Sequence, residues 1–275
     1  MADGTCDWIL IMNISKRRTM RAKGEFLSVR KPGFWRGLAL RACAGALALG
    51  LGASAQASLV VEGTRVVYKA GASEVVVKLT NDGAVASLMQ AWIDDGRAQA
   101  TPDQMNVPFF LTPPLARVEP GKGQALRIFH TEGGQPLPQD RESLFWLNVL
   151  DVPPKVDSDE EAGAILQISV RSRLKLFFRP KGLAGSAESA PADLRFKTLA
   201  GGKLEVANPT PYYVNLRELA YGPEDRPTQR YPAMMIAPFG SETLDLGGGK
   251  PATMRYAAIS DLGAIHFFEK EVGKQ

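Results

Sequence analysis

Residues 164–178 read AILQISVRSRLKLFF. Leu166, Ile168, Val170, Ser172 and Leu174 alternate with Ile165, Gln167, Ser169, Arg171, Arg173 and Lys175. A period of two puts the first set on one face of a β-strand and the second set on the other. A strand this long, apolar on one face, is an aggregation hazard at a sheet edge. Two readings follow. In the first it is an ordinary sandwich strand with its apolar face in its own core, which patterning by itself favours. In the second it pairs with another chain by β-augmentation, where backbone hydrogen bonds give affinity and alternate side chains filling pockets give specificity. Lys175 interrupts a run, Leu174 and Leu176-Phe177-Phe178, that should be mostly buried. Such a lysine either snorkels to water or anchors an anion. Arg65 is similarly placed in GTRVVY, residues 63–68, which reads as the first strand after residue 57, between turn residues and an apolar run. Taken alone, each cation reads as a solvated strand residue; together near a domain seam they could hold a carboxylate.

The same period recurs outward from this strand. SEVVVKL (73–79), KLEV (203–206) and YYVNLREL (212–219) are rich in β-branched, leucine and aromatic residues. Turn chemistry separates them: Lys69-Ala70-Gly71, Asn81-Asp82-Gly83, Glu119-Pro120-Gly121 and Ala200-Gly201-Gly202. Short strands with turns every ~8–12 residues argue an all-β antiparallel sandwich or barrel, and no long amphipathic helix is visible. Strand patterning breaks at Arg179-Pro180-Lys181-Gly182-Leu183 and the small, polar AGSAESAPAD that follows, then restarts at Leu194. This hinge gives a first domain over 58–181 and a second over 182–275, each of immunoglobulin-like size.

Residues 1–57 read as a secretory signal peptide. GLALRACAGALALGLGASAQA (37–57) is apolar, follows a basic region and ends on Ala55-Gln56-Ala57, a small-residue cleavage pattern. Residues 42–55, its cleanest apolar run, are short for a transmembrane span of ~20 residues. The leader is long, so Met20 is a candidate start. Nine of the 33 Lys and Arg and three of the 29 Asp and Glu lie in this segment, leaving 24 basic and 26 acidic side chains beyond it. The overall formal charge of +4 is therefore no nucleic-acid footprint. Both cysteines, Cys6 and Cys43, leave with the leader. A disulfide-free protein entering an oxidising compartment must be held by packed cores.

Past Ala57 the sequence resembles the periplasmic pilus chaperones, the PapD-like family, over nearly its whole length. The most specific block is RESLFWLNVLDVPPK (141–155). TRVVY (64–68), LTPPLARVEPGKGQALRI (111–128) and RSRLKLFFRP (171–180) support it. NPTPY (208–212), MIAPF (235–239) and SDLGA (260–264) continue the series in order. The resemblance implies two immunoglobulin-like β-sandwich domains in a boomerang arrangement. It implies that residues 164–178 contain a donor strand, whose Leu166, Ile168 and Val170 fill a groove in an unfinished pilus or fimbrial subunit. Arg65 and Lys175 match the pair that anchors the subunit's C-terminal carboxylate, and Glu142, Arg179 and Asp261 match an interdomain charge cluster. The modest loop over 153–163 is similar to the short-loop branch, which builds rod-like pili. Implied partners are the subunit and an outer-membrane usher, with no cofactor and no nucleic acid; an unoccupied donor strand would also allow self-association.

Enzymatic readings find little support. The only histidines, His130 and His266, sit at strand ends beside aromatics, and no G-x-S-x-G, H-E-x-x-H or Cys/His metal spacing occurs. Gly247-Gly248-Gly249-Lys250 lacks phosphate-loop spacing and reads as a hairpin turn. The acidic tract KVDSDEEA (155–162) lacks the glycine and ligand spacing of an EF-hand and reads as a loop, not a metal site. A secreted immunoglobulin-like adhesin or binding module is the alternative function, since fold does not fix function.

Overall fold

The computed structural model describes residues 59–99, 101–131, 136–154, 167–224 and 227–273. The leader with its cysteines, the acidic tract over 155–162 and Leu166 lie outside the described residues. In the first half the strands are Leu59–Val61 (β1), Arg65–Lys69 (β2), Val75–Asn81 (β3), Ser87–Asp94 (β4), Phe109–Thr112 (β5), Leu115–Val118 (β6), Gly123–His130 (β7), Ser143–Val152 (β8) and Val170–Arg179 (β9). They form two facing sheets, β1-β3-β7-β5 and β2-β9-β8-β4-β6.

Alternation decides what each strand buries. Met89, Ala91 and Ile93 on β4, Phe145, Leu147 and Val149 on β8, and Leu174, Leu176 and Phe178 on β9 face the first core with Leu126 and Ile128 of β7. Each large side chain so buried contributes ~1.5–3 kcal/mol of transfer free energy. The intervening residues of β4, β8 and β9 therefore point to the outer face of their sheet. β1 and β2 belong to different sheets, and the chain crosses between them at Gly63, where φ is +88°, a conformation that favours glycine.

The second half holds Arg195–Leu199 (β10), Lys203–Ala207 (β11), Val214–Tyr221 (β12), Gln229–Tyr231 (β13), Met234–Ile236 (β14), Ser241–Asp245 (β15), Thr253–Ile259 (β16) and Ile265–Gly273 (β17). β10, β11 and β15 make one layer; β12, β13, β14, β16 and β17 make the other. A parallel pairing of β10 with β17 joins the layers at one edge, with Phe196 opposite Val272. Between them lies a second core of Phe196, Leu204, Val206, Leu216, Leu219, Met254 and Tyr256 among others. The expected pair of immunoglobulin-like sandwiches is thus present.

Four local expectations change. The strand expected over 164–178 starts only at Val170, because β8, its ladder partner, ends at Val152 before two prolines; Asp151 pairs with Val170 at the last rung. Residues 167–169 carry no strand, although Gln167 Nε2 donates to Pro153 O (2.9 Å) and Pro154 O (3.0 Å). The strand carrying Arg65 is preceded by β1, whose three residues are too few to show a period. Gly247–Gly249 is not a hairpin turn, since β15 pairs with β11 whereas β16 pairs with β12 and β17. The glycines instead carry the chain from one layer to the other. The break at 179–193 is also partly packed: Leu183, Ala187 and Ala190 rest on the second core.

Candidate functional site

The site is built on β9 and its neighbours, where the first sandwich meets the second. β2 runs parallel to β9 but reaches only its C-terminal half, from Arg65 opposite Lys175 to Lys69 opposite Arg179. Ahead of Lys175, β9 has β8 on one side and, among the described residues, no strand on the other. The row that contains Leu174 emerges from its own core along this open stretch. Leu174 is 7 % exposed, Ser172 and Val170 are half-buried, and Ile168 is 43 % exposed.

Arg65 and Lys175 lie on adjacent strands in register, both on the outer face. Each is held by the second sandwich. Arg65 Nη1 donates to the carbonyl of Ile259 (3.1 Å), and Lys175 Nζ donates to Asn215 Oδ1 (2.7 Å). Arg65 Nε is buried without a hydrogen-bond partner. Burial lowers the Arg65 pKa from its ordinary value, against the opposing pull of Asp261. A guanidinium that is partly desolvated and incompletely hydrogen-bonded favours an anion beside it.

Glu142, Arg179 and Asp261 do converge. Arg179 Nε donates to Glu142 Oε1 (2.6 Å), while Nη1 and Nη2 donate to Asp261 Oδ2 (2.8 Å) and Oδ1 (3.1 Å). Glu142 Oε2 also accepts from the Tyr213 N–H (2.8 Å), and the Glu142 N–H donates to Pro211 O (2.9 Å). Burial raises the Glu142 carboxyl, against Arg179 and the Tyr213 N–H, which favour the carboxylate. Burial works to lower the Arg179 guanidinium, and its carboxylate partners outweigh this and raise it.

A buried asparagine prepares the second sandwich for these contacts. Asn208 Nδ2 donates to the carbonyls of Tyr212 (2.7 Å) and Ala237 (3.0 Å), while Oδ1 accepts from Thr210 N (3.0 Å) and Oγ1 (2.7 Å). This knot fixes the NPTPY turn, so that Pro211 and Tyr213 meet Glu142 and the Tyr213 ring meets Phe177 (5.5 Å between centroids). The Arg179 guanidinium lies 5.4 Å from the Tyr212 ring.

Sequence reasoning missed Asn215, Trp146, Arg173 and Asp94. Asn215 had one signal, a polar residue between Val214 and Leu216 of β12, where it is buried. Trp146 stands opposite Lys175 on β8, its ring 4.2 Å from the Arg173 guanidinium and 5.9 Å from Lys175 Nζ. Arg173 grips Asp94 through Nη2 (2.6 Å) and Nε (3.2 Å), and Asn148 Nδ2 donates to the same carboxylate (2.7 Å). Among the described residues no cluster of three or more His, Cys, Asp or Glu could hold a metal ion.

Comparison with known proteins extends the geometry. Residues 58–184 match the family described as "Pili and flagellar-assembly chaperone, PapD N-terminal domain", and residues 189–269 match "Pili assembly chaperone PapD, C-terminal domain". The chain is 53 % identical over 232 residues to the chaperone protein FimB/FhaD of Bordetella pertussis, covering 84 % of this chain and 94 % of that one. The CupB2 chaperone of Pseudomonas aeruginosa is similar in structure, with TM-score 0.64, 39 % identity, and coverage of 77 % of this chain and 100 % of that one. So is the SafB chaperone of Salmonella enterica, solved in complex with the SafA pilin: TM-score 0.66, 30 % identity, 80 % of this chain and 98 % of that chain.

Proposed function

The chain belongs to the PapD-like family of pilus-assembly chaperones, and we propose that it binds pilus subunits by lending them the open edge of β9. Membership of an assembly-chaperone family sets aside the adhesin alternative. The observation that carries the reading is the relation of β2 to β9. β2 covers the edge of β9 only from Lys175 onward, so a foreign strand laid along residues 170–174 would be collinear with β2 and abut Arg65.

The two cations select the direction of that strand. A parallel strand brings its C-terminal carboxylate to Arg65 and Lys175; an antiparallel one would bring its ammonium group there. Charge-assisted hydrogen bonds to a carboxylate contribute ~1.5–3 kcal/mol each, whereas an ammonium would be repelled. The terminus also sets register, because a slip of one residue would turn every side chain to the wrong face. Ile168 and Val170 then present their apolar side chains to a subunit whose own core lacks a strand, and Leu166 continues the alternation in the sequence. No nucleotide or cofactor enters this scheme.

In this reading Glu142, Arg179 and Asp261 hold the two sandwiches so that Asn215 and Ile259 support the anchor from the far side. The leader over 1–57, cleaved after Ala57, delivers a two-domain chaperone (58–181 and 182–275) to the periplasm, where subunits are passed to an outer-membrane usher. Co-expression with candidate pilus subunits in a bacterial periplasm tests the reading. A subunit should be retained at one to one, and retention of no subunit by the intact protein would defeat it.

A further inference from the structure

On the outer face of the open edge, cations recur at every second residue of β9: Arg171, Arg173 and Lys175. Trp92 and Trp146, from β4 and β8, lie beneath two of them. The Arg171 guanidinium is 5.9 Å from the Trp92 ring, and that of Arg173 is 4.2 Å from the Trp146 ring. These contacts hold both guanidinium groups over indole rings, within cation–π reach. Arg171 Nη1 donates to the carbonyl of Ala98 (3.1 Å) and has no acidic partner among the described residues. Arg173 meets Asp94 through Nε and Nη2, which leaves Nη1 for a further acceptor. Asp94 is itself buried, so the strip presents arginine donors rather than carboxylate to an incoming chain.

We propose that this strip makes the chaperone select partner strands with acidic side chains at alternate positions close to their C-terminus. The inference rests on the donor-edge reading above. In a parallel ladder, residues paired across two strands point to the same face. Residues of an added strand opposite Arg171 and Arg173 would therefore lie beside the guanidinium groups, while the residues between them face the apolar row. Because the chain end is held at Arg65 and Lys175, the position facing Arg173 falls within about the last three residues of the partner, and the position facing Arg171 two earlier. A glutamate or aspartate there completes a partly desolvated ion pair over a tryptophan. A lysine is repelled, and an apolar side chain covers arginine donors without satisfying them.

Short synthetic peptides of alternating valine and threonine, fluorescently labelled at the N-terminus, test this with the intact chaperone. A single glutamate is walked through the last several positions, and binding is read by fluorescence anisotropy. The expected result is an affinity gain of about tenfold at every second position and none between, with lysine at the favoured positions weakening binding. The gain should vanish in Arg171→Gln for the position facing it. It should also vanish for the other position in the paired variant Asp94→Asn with Arg173→Gln, which leaves no buried carboxylate unpaired. A preference for a carboxylate over an amidated end should survive in both variants. Glutamate gains that are equal at all positions, or absent, while the carboxylate preference holds, would overturn this inference and leave the donor edge standing. Peptides that do not bind, or bind equally well as amides, would overturn both.

Discussion

Arg65 and Lys175 face each other at the first rung of the parallel β2–β9 ladder, and both side chains are braced by the second sandwich, on the Ile259 carbonyl and Asn215 Oδ1. The pair therefore stands where the open edge of one domain stops and the seam with the other begins. A chain end held there is fixed at once in register, direction and distance from the second sandwich.

Charge reversal at either residue is expected to abolish retention of a pilus subunit. Losing one partner of a desolvated, hydrogen-bonded charge pair costs ~2–5 kcal/mol or more of binding. Both side chains lie outside the hydrophobic cores, so Lys175→Glu and Arg65→Glu should keep the β-sheet circular dichroism and cooperative unfolding of the parent. Normal co-purification of a subunit with folded Lys175→Glu would contradict the anchor.

Ile168→Asp should weaken subunit binding without destabilising the free protein. Ile168 is 43 % exposed and outside the core, so its replacement should change unfolding free energy by no more than about 0.5 kcal/mol. Denaturant melts set beside a subunit pull-down separate the two effects. A large loss of stability would mean that the side chain serves its own domain.

The sandwich pair was legible because alternation is a local property: β9 declares its buried face in ten consecutive residues. What stayed hidden depends on partners distant in sequence. The start of β9 is set by the end of β8, and the layer-crossing role of Gly247–Gly249 by the pairing of β15 with β11. The charge cluster was reached through family resemblance, since nothing local in SDLG announces that Asp261 meets Arg179 from 82 positions away. Asn215 announces only its polarity; the β8–β9 ladder brings Trp146 to Lys175, and the folded seam brings Asn215 there.

Arg179→Met should be among the more damaging single changes in the seam. It leaves Glu142, which is 3 % exposed, as a buried carboxylate without its cation, a loss of ~3–5 kcal/mol. Adding Glu142→Gln should recover part of this, because the buried charge is gone and the amide can still accept from the Tyr213 N–H. Chemical denaturation of the two single variants and the double variant measures the coupling. Strict additivity would show that the pair does not act as a unit.

Alkaline pH should destabilise the second sandwich. Burial raises the phenols of Tyr231 and Tyr256 from 10.0 to about 12, and their hydroxyls donate to the carbonyls of Asp245 and Pro191, each at 2.7 Å. A raised folded-state pKa gives a contribution that is complete below the unfolded value near 10.0 and lost as pH climbs towards about 12. Unfolding free energy should fall across that window, and less steeply in Tyr256→Phe. That variant should also lose about 1 kcal/mol near neutrality from the missing hydrogen bond. An identical pH slope in parent and variant would contradict the assignment.

Amide hydrogen exchange across residues 168–174, in the free chaperone and in its complex with a pilus subunit, bears most directly on strand donation. A foreign strand on this edge should slow exchange at alternating backbone amides, those turned away from β8, and should stop at the level of Arg65 and Lys175. Unchanged exchange along the whole stretch in a complex of proven one-to-one composition would contradict it.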